Sequence, residues 1–357
     1  MKDPVELANV FLEHNPWQLK SNPVWTTTIF QCKRNIARSN FPAKLSSEEM
    51  SRLFLLLEQS VIKFFGNERC QVIAAEKLSP IDKEFFCEHF LCREGFQNAG
   101  VGQGIAVDFQ GRFFAQLNIQ DHLFLQWIDV ADSWDDTWNE LARCEESIGK
   151  ELAFAFSAEF GFLTANPREC GTALNVSAYL HIPALRYSNH LESVLKTLEE
   201  VEITGLDGSK SDFLADYMIL KNAYSLGVSE QEILRSVHLS ATKIVGEEKR
   251  TRAEIQKEGS GEMKDRISRA YGLLTHSYQL STKEALSSLS LIKLGIDLGW
   301  LGGLSDQAIN HLFLLVRRAH LLKTLGQKDE ESPQVQHHRA AFLHQRLKSL
   351  QLKEDLA

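Results

Sequence analysis

The sequence predicts an α+β chain that ends in about a hundred helical residues, and three observations carry that reading. A period-two run puts Leu174, Val176, Ala178, Leu180 and Ile182 on one face and Asn175, Ser177, Tyr179 and His181 on the other, a strand with one buried face. A second alternating stretch, Gly104 to Asn118, turns back at Asp108-Phe109-Gln110-Gly111 as a hairpin. From Ser229 onward the punctuation changes to capping boxes, Ser229-Glu230-Gln231-Glu232 and Ser281-Thr282-Lys283-Glu284, each opening a helix.

The elements follow in order. Val5 to Glu13 predicts a short helix, and Trp17 and Trp25, flanking Pro23, are expected to pin this arm to the core. The β-branched and aromatic run after Val24 favours a strand. Leu45 to Phe65 is an amphipathic helix with Ser46 or Ser47 as cap and Glu48 and Glu49 in its first turn. Glu88 and His89 read as an exposed helix face in preference to an acid–base pair. Trp134 to Glu159 predicts a long helix with Trp134, Trp138, Leu141, Ile148, Leu152 and Phe156 inward. Another helix is expected around Ala184 to Glu199. In the tail, Gly259-Ser260-Gly261 breaks one helix and Gly295 and Gly299 end the next. Ser305 caps a further helix to about Lys323, Gly326 to Pro333 is a polar linker, and Gln334 to Leu350 is the last helix. The expected division is an arm over 1–23, a first domain over 24–247 and a helical domain over 248–357.

Composition narrows the function classes. An apolar fraction of 43% and a charged fraction of 24% in 357 residues are those of an ordinary globular protein with one large core and a smaller second domain. A net charge of −8 argues against nucleic acid, whose phosphates need concentrated Lys and Arg. No apolar run is long enough to span a bilayer, and Met1 to His14 lacks the pattern of a signal peptide, so no membrane role and a cytoplasmic location are expected. The six cysteines, Cys32, Cys70, Cys87, Cys92, Cys144 and Cys170, have no CxxC spacing, so no metal site is expected and they read as reduced thiols.

The stretch Gly161 to Leu185 joins a loop to the period-two strand. Pro167 fixes its own φ and pushes Asn166 out of the helical region, and Gly171 allows a close backbone approach. This stretch resembles the Cys-Pro-Thr-Asn-x-Gly-Thr-Gly-Leu-Arg-Ala-Ser signature of the ATP:guanido phosphotransferases, in particular the bacterial protein-arginine kinase (McsB) branch. Thr164, Pro167, Gly171, Thr172, Leu174, Ser177, His181, Pro183, Ala184 and Leu185 match. Asn166 stands at the reactive Cys position, Glu169 at an Asn, Ala173 at a Gly and Asn175 at an Arg. Upstream, Thr27 to Pro42 is similar to the family's Ser-Ser-Arg-x-Arg-x-x-Arg-Asn opening. Arg34, Asn35, Phe41 and Pro42 match, while Ile29 and Gln31 fill its first two Arg positions. Asn118 to Phe124 resembles Asn-Glu-Glu-Asp-His-x-Arg. Asp121 and His122 are kept, Ile119 and Gln120 replace both glutamates, and Phe124 replaces the Arg. Glu202 to Ser209 resembles Arg-Gly-x-x-Gly-Glu-Gly-Ser, with Glu202 at the Arg and Asp207 at the Glu. Tail segments such as Leu294 to Gly299 extend the resemblance to about Leu347.

That resemblance implies a phosphagen-kinase-like antiparallel sheet flanked by helices, then a helical C-terminal domain. It also implies a function and its loss. A guanidinium stays protonated to a pKa of about 12.5–13.8, so phosphorylating it needs a carboxylate to orient it and accept a proton. The triphosphate needs arginines and Mg²⁺ around it. Here Ile29, Gln31, Phe124, Asn175 and Glu202 occupy five nucleotide-gripping arginine positions, and Ile119, Gln120, Asn166 and Asp207 occupy catalytic ones. Asp121, His122, Gly171 and Thr172 persist as scaffold. The expectation is therefore a pseudokinase that needs no cofactor. It would act as a regulatory or adaptor protein in protein quality control with a ClpC-type protease system. The alternative is an active arginine kinase using Mg-ATP through a divergent clamp, with Arg34, Arg168 or Arg186 as substitutes. Family partners are a zinc-finger activator protein, a ClpC-type AAA+ unfoldase or a second copy of the chain. The phosphoarginine-reading Arg-Asp-x-x-Arg-Ala motif survives only as Arg339-Ala340, with Val335 and Gln336 at its Arg-Asp pair. Arg339 is a weak phosphoarginine candidate beside the plainer reading of a solvated surface charge.

Overall fold

Pro4–Glu13 forms helix α1, and the β-branched run after Val24 forms strand β1 (Trp25–Arg34). The computed structural model describes residues 4–13, 16, 22–92, 96–130, 133–188, 190–210, 212–327 and 332–353, so the expected anchor Trp17 lies outside the described residues. Helix α2 (Ser47–Phe65) starts at a complete capping box. The Ser46 hydroxyl accepts from the Glu49 amide, and the Glu49 carboxylate accepts from the Ser46 amide at 2.8 Å. Strand β2 (Cys70–Ala74), helix α3 (Pro80–His89), the hairpin β3 (Gly104–Asp108) and β4 (Phe113–Leu117), and strand β5 (Leu123–Asp129) follow. His89 is fully buried, not on an exposed helix face as expected; its ring stacks on Phe11 at 4.8 Å.

Helix α4 spans Trp134–Gly149 and stops ten residues before the predicted Glu159. The apolar run from Leu152 to Phe156 misleads because its backbone pairs elsewhere. Ala37 N donates to Ala153 O at 2.8 Å and Ala155 N to Asn35 O at 2.7 Å, which draws the chain out of the helix into a small hairpin, β6 (Phe156–Ser157) and β7 (Gly161–Phe162). Strand β8 (Leu174–His181) is the period-two run. The predicted single helix after it is two short ones, α5 (Pro183–Tyr187) and α6 (Leu191–Leu195), separated where Ser188 turns extended. Strands β9 (Val201–Gly205) and β10 (Tyr217–Asn222) precede the helical tail.

The tail holds α7 (Glu230–Glu258), α8 (Gly261–His276), α9 (Thr282–Asp297), a short strand β11 (Leu301–Gly302), α10 (Asp306–Leu315), α11 (Arg318–Leu325), α12 (Ser332–Arg346) and a second short strand β12 (Gln351–Leu352). Both predicted capping boxes form, at Ser229 with Glu232 and at Ser281 with Glu284. The helix predicted from Ser305 to Lys323 is divided at Arg317, whose ψ of 154° is extended. The last helix starts two residues earlier and ends four earlier than expected. Among the described residues no helix is long and apolar enough to cross a membrane.

The chain divides into two units. The first takes residues 1–16, 28–177 and 222–237, with strand order β2-β3-β4-β5-β1-β8. The pairs β2/β3, β3/β4, β4/β5 and β5/β1 are antiparallel. Helices α2 and α4 cover one face, where Phe65 packs on Phe113 at 4.5 Å and Trp134 on Phe30 at 4.9 Å. The segment after α3 covers the other, where Phe90 stacks on Phe114 at 4.9 Å.

The second unit takes residues 17–27, 178–221 and 238–357. It contains the end of β8, then β10 and β9, and the helices from most of α7 to α12. Strand β8 is buried on both faces, not one: Tyr179 is 6% and His181 0% exposed. Polar neighbours make this possible. His181 Nε2 lies 2.8 Å from Ser290 Oγ of α9, and Arg252 of α7 donates to the His181 carbonyl at 3.0 Å. Glu248, buried beside Arg252, accepts from the first amides of α5, Ala184 N at 3.1 Å and Leu185 N at 2.8 Å.

Candidate functional site

Alternation along β1 sorts its side chains between the two faces of the first unit's sheet. Phe30, Cys32 and Arg34 point toward α4, and Arg34 pairs with Glu145 of that helix at 2.7 Å. Ile29, Gln31 and Lys33 share the opposite face, opposite Ile128, Gln126 and Phe124 of β5. Three of the positions that the resemblance fills with arginine lie here, and none carries charge. Ile29 and Phe124 are buried at 1% and 3% exposure. Gln31 Nε2 donates to Gln126 Oε1 at 2.8 Å, and Gln126 in turn donates to the Phe90 carbonyl at 2.6 Å. The cation on this strand face, Lys33, is ion-paired with Glu169 at 3.0 Å.

Beside this face the loop from Gly161 to Ala173 is held by buried polar groups. Asp121 Oδ1 accepts from Asn35 Nδ2 at 2.6 Å and from Ala165 N at 2.7 Å. Asn35 also donates to Leu163 O and accepts from His122 N, and His122 Nδ1 accepts from Ile36 N at 3.0 Å. Burial holds the His122 imidazole below its usual pKa. Asp121 and His122 thus hold the loop through main-chain and side-chain hydrogen bonds. Gly171 is required by space as well as by its φ of +108°: a Cβ there would sit 2.0 Å from Ser225 O. Thr172 N donates to the same carbonyl at 2.9 Å. Ala173 keeps a left-handed φ of 50° without being glycine.

The remaining expected positions in this unit are dispersed in character. Asn166 is exposed and its side chain accepts from Arg168 N; Ile119 is half-buried and Gln120 exposed. Asn175 is half-buried and accepts from Ser177 Oγ at 3.1 Å. Of the possible substitute arginines, Arg34 is 2% exposed, paired with Glu145, and lies 3.6 Å over the Phe162 ring. Arg168 is exposed, and its guanidinium has no hydrogen-bond partner among the described residues.

In the second unit, Glu202 bridges Lys221 at 2.9 Å and Lys210 at 3.2 Å; the Lys221 hydrogen bond holds its carboxyl below the usual range. Asp207 is exposed at a turn, accepting from Ser209 N at 3.0 Å. Arg186 is committed to Asp216 at 2.9 Å, Asp212 at 3.2 Å and the Phe213 carbonyl. Arg339 is buried at 2% exposure, which corrects the expectation of a solvated charge. Its Nε donates to Val316 O at 2.6 Å and its Nη1 to Leu280 O at 2.8 Å, capping carbonyls that would otherwise lack donors.

Sequence reasoning missed the partners that sit far along the chain. Ser225 donates to Cys170 O at 2.9 Å, and Asn222 Oδ1 accepts from Val176 N at 2.8 Å. Neither has a periodic or motif signal, since both act through main-chain groups about fifty residues away. Among the described residues no group of three or more His, Cys, Asp or Glu could hold a metal ion.

The chain is similar to known proteins along most of its length. Residues 56–251 match the model of the ATP:guanido phosphotransferase C-terminal catalytic domain, and residues 260–356 that of the protein-arginine kinase McsB C-terminal domain. The chain is 36% identical over 338 residues to a protein-arginine kinase of Chlamydia pneumoniae, covering 93% of this chain and 94% of that one. It is 31% identical to one of Halothermothrix orenii, covering 90% and 93%. Among solved structures, lombricine kinase superposes with a TM-score of 0.57 at 16% identity, covering 71% and 72%. The duplicated taurocyamine kinase of Schistosoma mansoni also gives 0.57, at 19% identity; the match covers 71% of this chain and 38% of that longer one. At such identities the likeness is one of fold.

Proposed function

The chain belongs to the protein-arginine kinase family of ATP:guanido phosphotransferases, and from that premise we propose that it is a catalytically degenerate member, a pseudokinase that binds protein partners without transferring phosphate. One observation carries the reading. The positions that the resemblance fills with phosphate-gripping arginines hold Ile29, Gln31, Phe124 and Asn175 in the first unit, and the first three are uncharged residues of a sheet face whose cation, Lys33, is ion-paired with Glu169. Glu202 in the second unit reverses the charge and is bound to two lysines. A charge-assisted hydrogen bond contributes about 1.5–3 kcal/mol. Losing two or three costs several powers of ten at about 1.4 kcal/mol per tenfold. The donor chemistry of this face does not fit Mg-ATP, and Ile119 and Gln120 offer no carboxylate to take a proton from a guanidinium.

The partners follow the family: a zinc-finger activator, a ClpC-type AAA+ unfoldase, or a second copy of the chain, in protein quality control. Co-purification with each, and native mass of the chain alone, distinguishes them. The competing reading, an active arginine kinase with a relocated clamp, is favoured by the relatives' names and by the exposed Arg168 on the signature loop. Purified protein with Mg-ATP and an arginine-rich substrate separates the two. The pseudokinase reading expects no thermal shift and no acid-labile phosphate; phosphoarginine formed in proportion to enzyme would overturn it.

A further inference from the structure

On the helix-covered face of the first unit's sheet, opposite Ile29 and Gln31, the C-terminal end of α2, the β3–β4 turn and β5 line a cavity of about 340 Å³ that opens to solvent. That is within the roughly 300–1,000 Å³ usual for small-molecule sites. Phe65, Phe109 and Trp127 give it aromatic walls, and Arg69 and Arg112 bring two guanidinium groups to it.

Three carboxylates also line the cavity, and each is turned to another task. Asp108 Oδ1 accepts from Arg112 N and Phe113 N at 2.8 Å each, closing the hairpin turn. Glu140 pairs with Arg143. Glu68 folds back on its own loop, close enough that a Cβ on Gly66 would meet its carboxylate. The arginines are partly committed. Arg69 Nε donates to Phe65 O at 2.7 Å; Arg112 Nε donates to Ile128 O at 3.4 Å and its Nη2 to Thr137 Oγ1 at 3.1 Å, and its charge acts on the Asp108 carboxylate. Both terminal nitrogens of Arg69 and Nη1 of Arg112 have no hydrogen-bond partner among the described residues. Forked donors of this kind match a carboxylate or phosphate, and aromatic walls match a flat apolar body.

We propose that this cavity binds a small organic anion, a carboxylate or phosphate carried on an aromatic ring. The site is independent of the sheet face discussed above, and its occupancy does not depend on whether the chain transfers phosphate.

Calorimetry on the full chain tests it, with phenyl phosphate and benzoate as probes and with benzyl alcohol and inorganic phosphate as controls that each lack one feature. Phenyl phosphate or benzoate is expected to bind at millimolar concentration or better, and both controls more weakly. Arg69→Gln, at an exposed position, is expected to weaken the binding about tenfold or more while leaving the melting temperature unchanged. Phe109→Ala should weaken it too, and should it misfold, Arg69→Gln still decides. No binding of either acid, equal binding by Arg69→Gln, or binding of benzyl alcohol as tight as that of phenyl phosphate would each overturn the proposal.

Discussion

Ala173 occupies a backbone conformation that its side chain resists. A left-handed φ costs an L-residue about 1–2 kcal/mol relative to glycine, and Ala173 holds φ at 50° while its carbonyl accepts from Lys33 N at 3.1 Å. The resemblance puts a glycine at this position, so the backbone shape persists where the residue does not. Ala178 lies in strand β8, which starts just after Ala173, is fully buried, and has no such φ. Replacing each by glycine therefore separates strain from packing. Both changes lose one methyl and gain chain entropy in the unfolded state, but only Ala173→Gly relieves strain. Urea unfolding is expected to show Ala173→Gly close to the parent and Ala178→Gly less stable than it by about 1–2 kcal/mol. Equal losses at the two sites would mean that the turn at Ala173 is unstrained. The sign of φ at Ala173 was not legible in the sequence; only the family pattern hinted at it, because an alanine by itself carries no turn signal.

At the scale of elements, the sequence located strands β1, β3, β4 and β8 and most of the helix starts, and missed the other strands; helix starts are legible because they are marked chemically. Ser46, Ser229 and Ser281 each announce their helix by a reciprocal bond to a glutamate three residues on. Ends were less legible. Helix α4 stops at Gly149 because Ala153 and Ala155 find main-chain partners in Asn35 and Ala37, more than a hundred residues earlier. The loop from Gly161 to Ala173 shows the same logic in its anchoring. Asp121 is 3% exposed and supplies the acceptor for both Asn35 and Ala165. Its truncation would leave two donors in the interior without partners, at about 1–3 kcal/mol each. Asp121→Ala is thus expected to lower stability by about 2–4 kcal/mol. Hydrogen exchange at the Ala165 amide should accelerate beyond that of the amides in β3 and β4. Uniform acceleration across the unit would mean that Asp121 supports the whole core and not this loop.

For the whole molecule, the buried titratable groups set a pH dependence whose sign can be worked out. Burial lowers the pKa of His122, His181, His311 and His320, with His311 brought to about 4 and the Arg346 charge adding to it. A histidine depressed in the folded state contributes stability that is present above about pH 6.5 and is lost as pH falls toward its folded pKa. At pH 6 His181, His311 and His320 each withhold most of a proton that the unfolded chain takes up, a slope of about 1 kcal/mol per pH unit for each, and His122 acts in the same direction. Four carboxyls act in the opposite sense. Burial raises Asp108, to about 6, and also Glu230, Asp216 and Glu248. Their contribution is fully present below about pH 4 and is lost as pH rises through the folded values. Starting from neutral pH, the histidines respond first, since their unfolded value lies above the folded value of Asp108. The carboxyls offset them increasingly as the pH drops further. The melting temperature is therefore expected to fall between about pH 7.5 and pH 6, and the fall to flatten below that. The same experiment on His320→Gln, whose ring is fully buried in the parent, should show a shallower descent if the variant folds. His311→Gln, half-buried, provides the same comparison at a more tolerant position. A melting temperature that is level or higher at pH 6 than at pH 7.5 would mean that these rings take up protons in the folded protein, and that the interior around them is open to water.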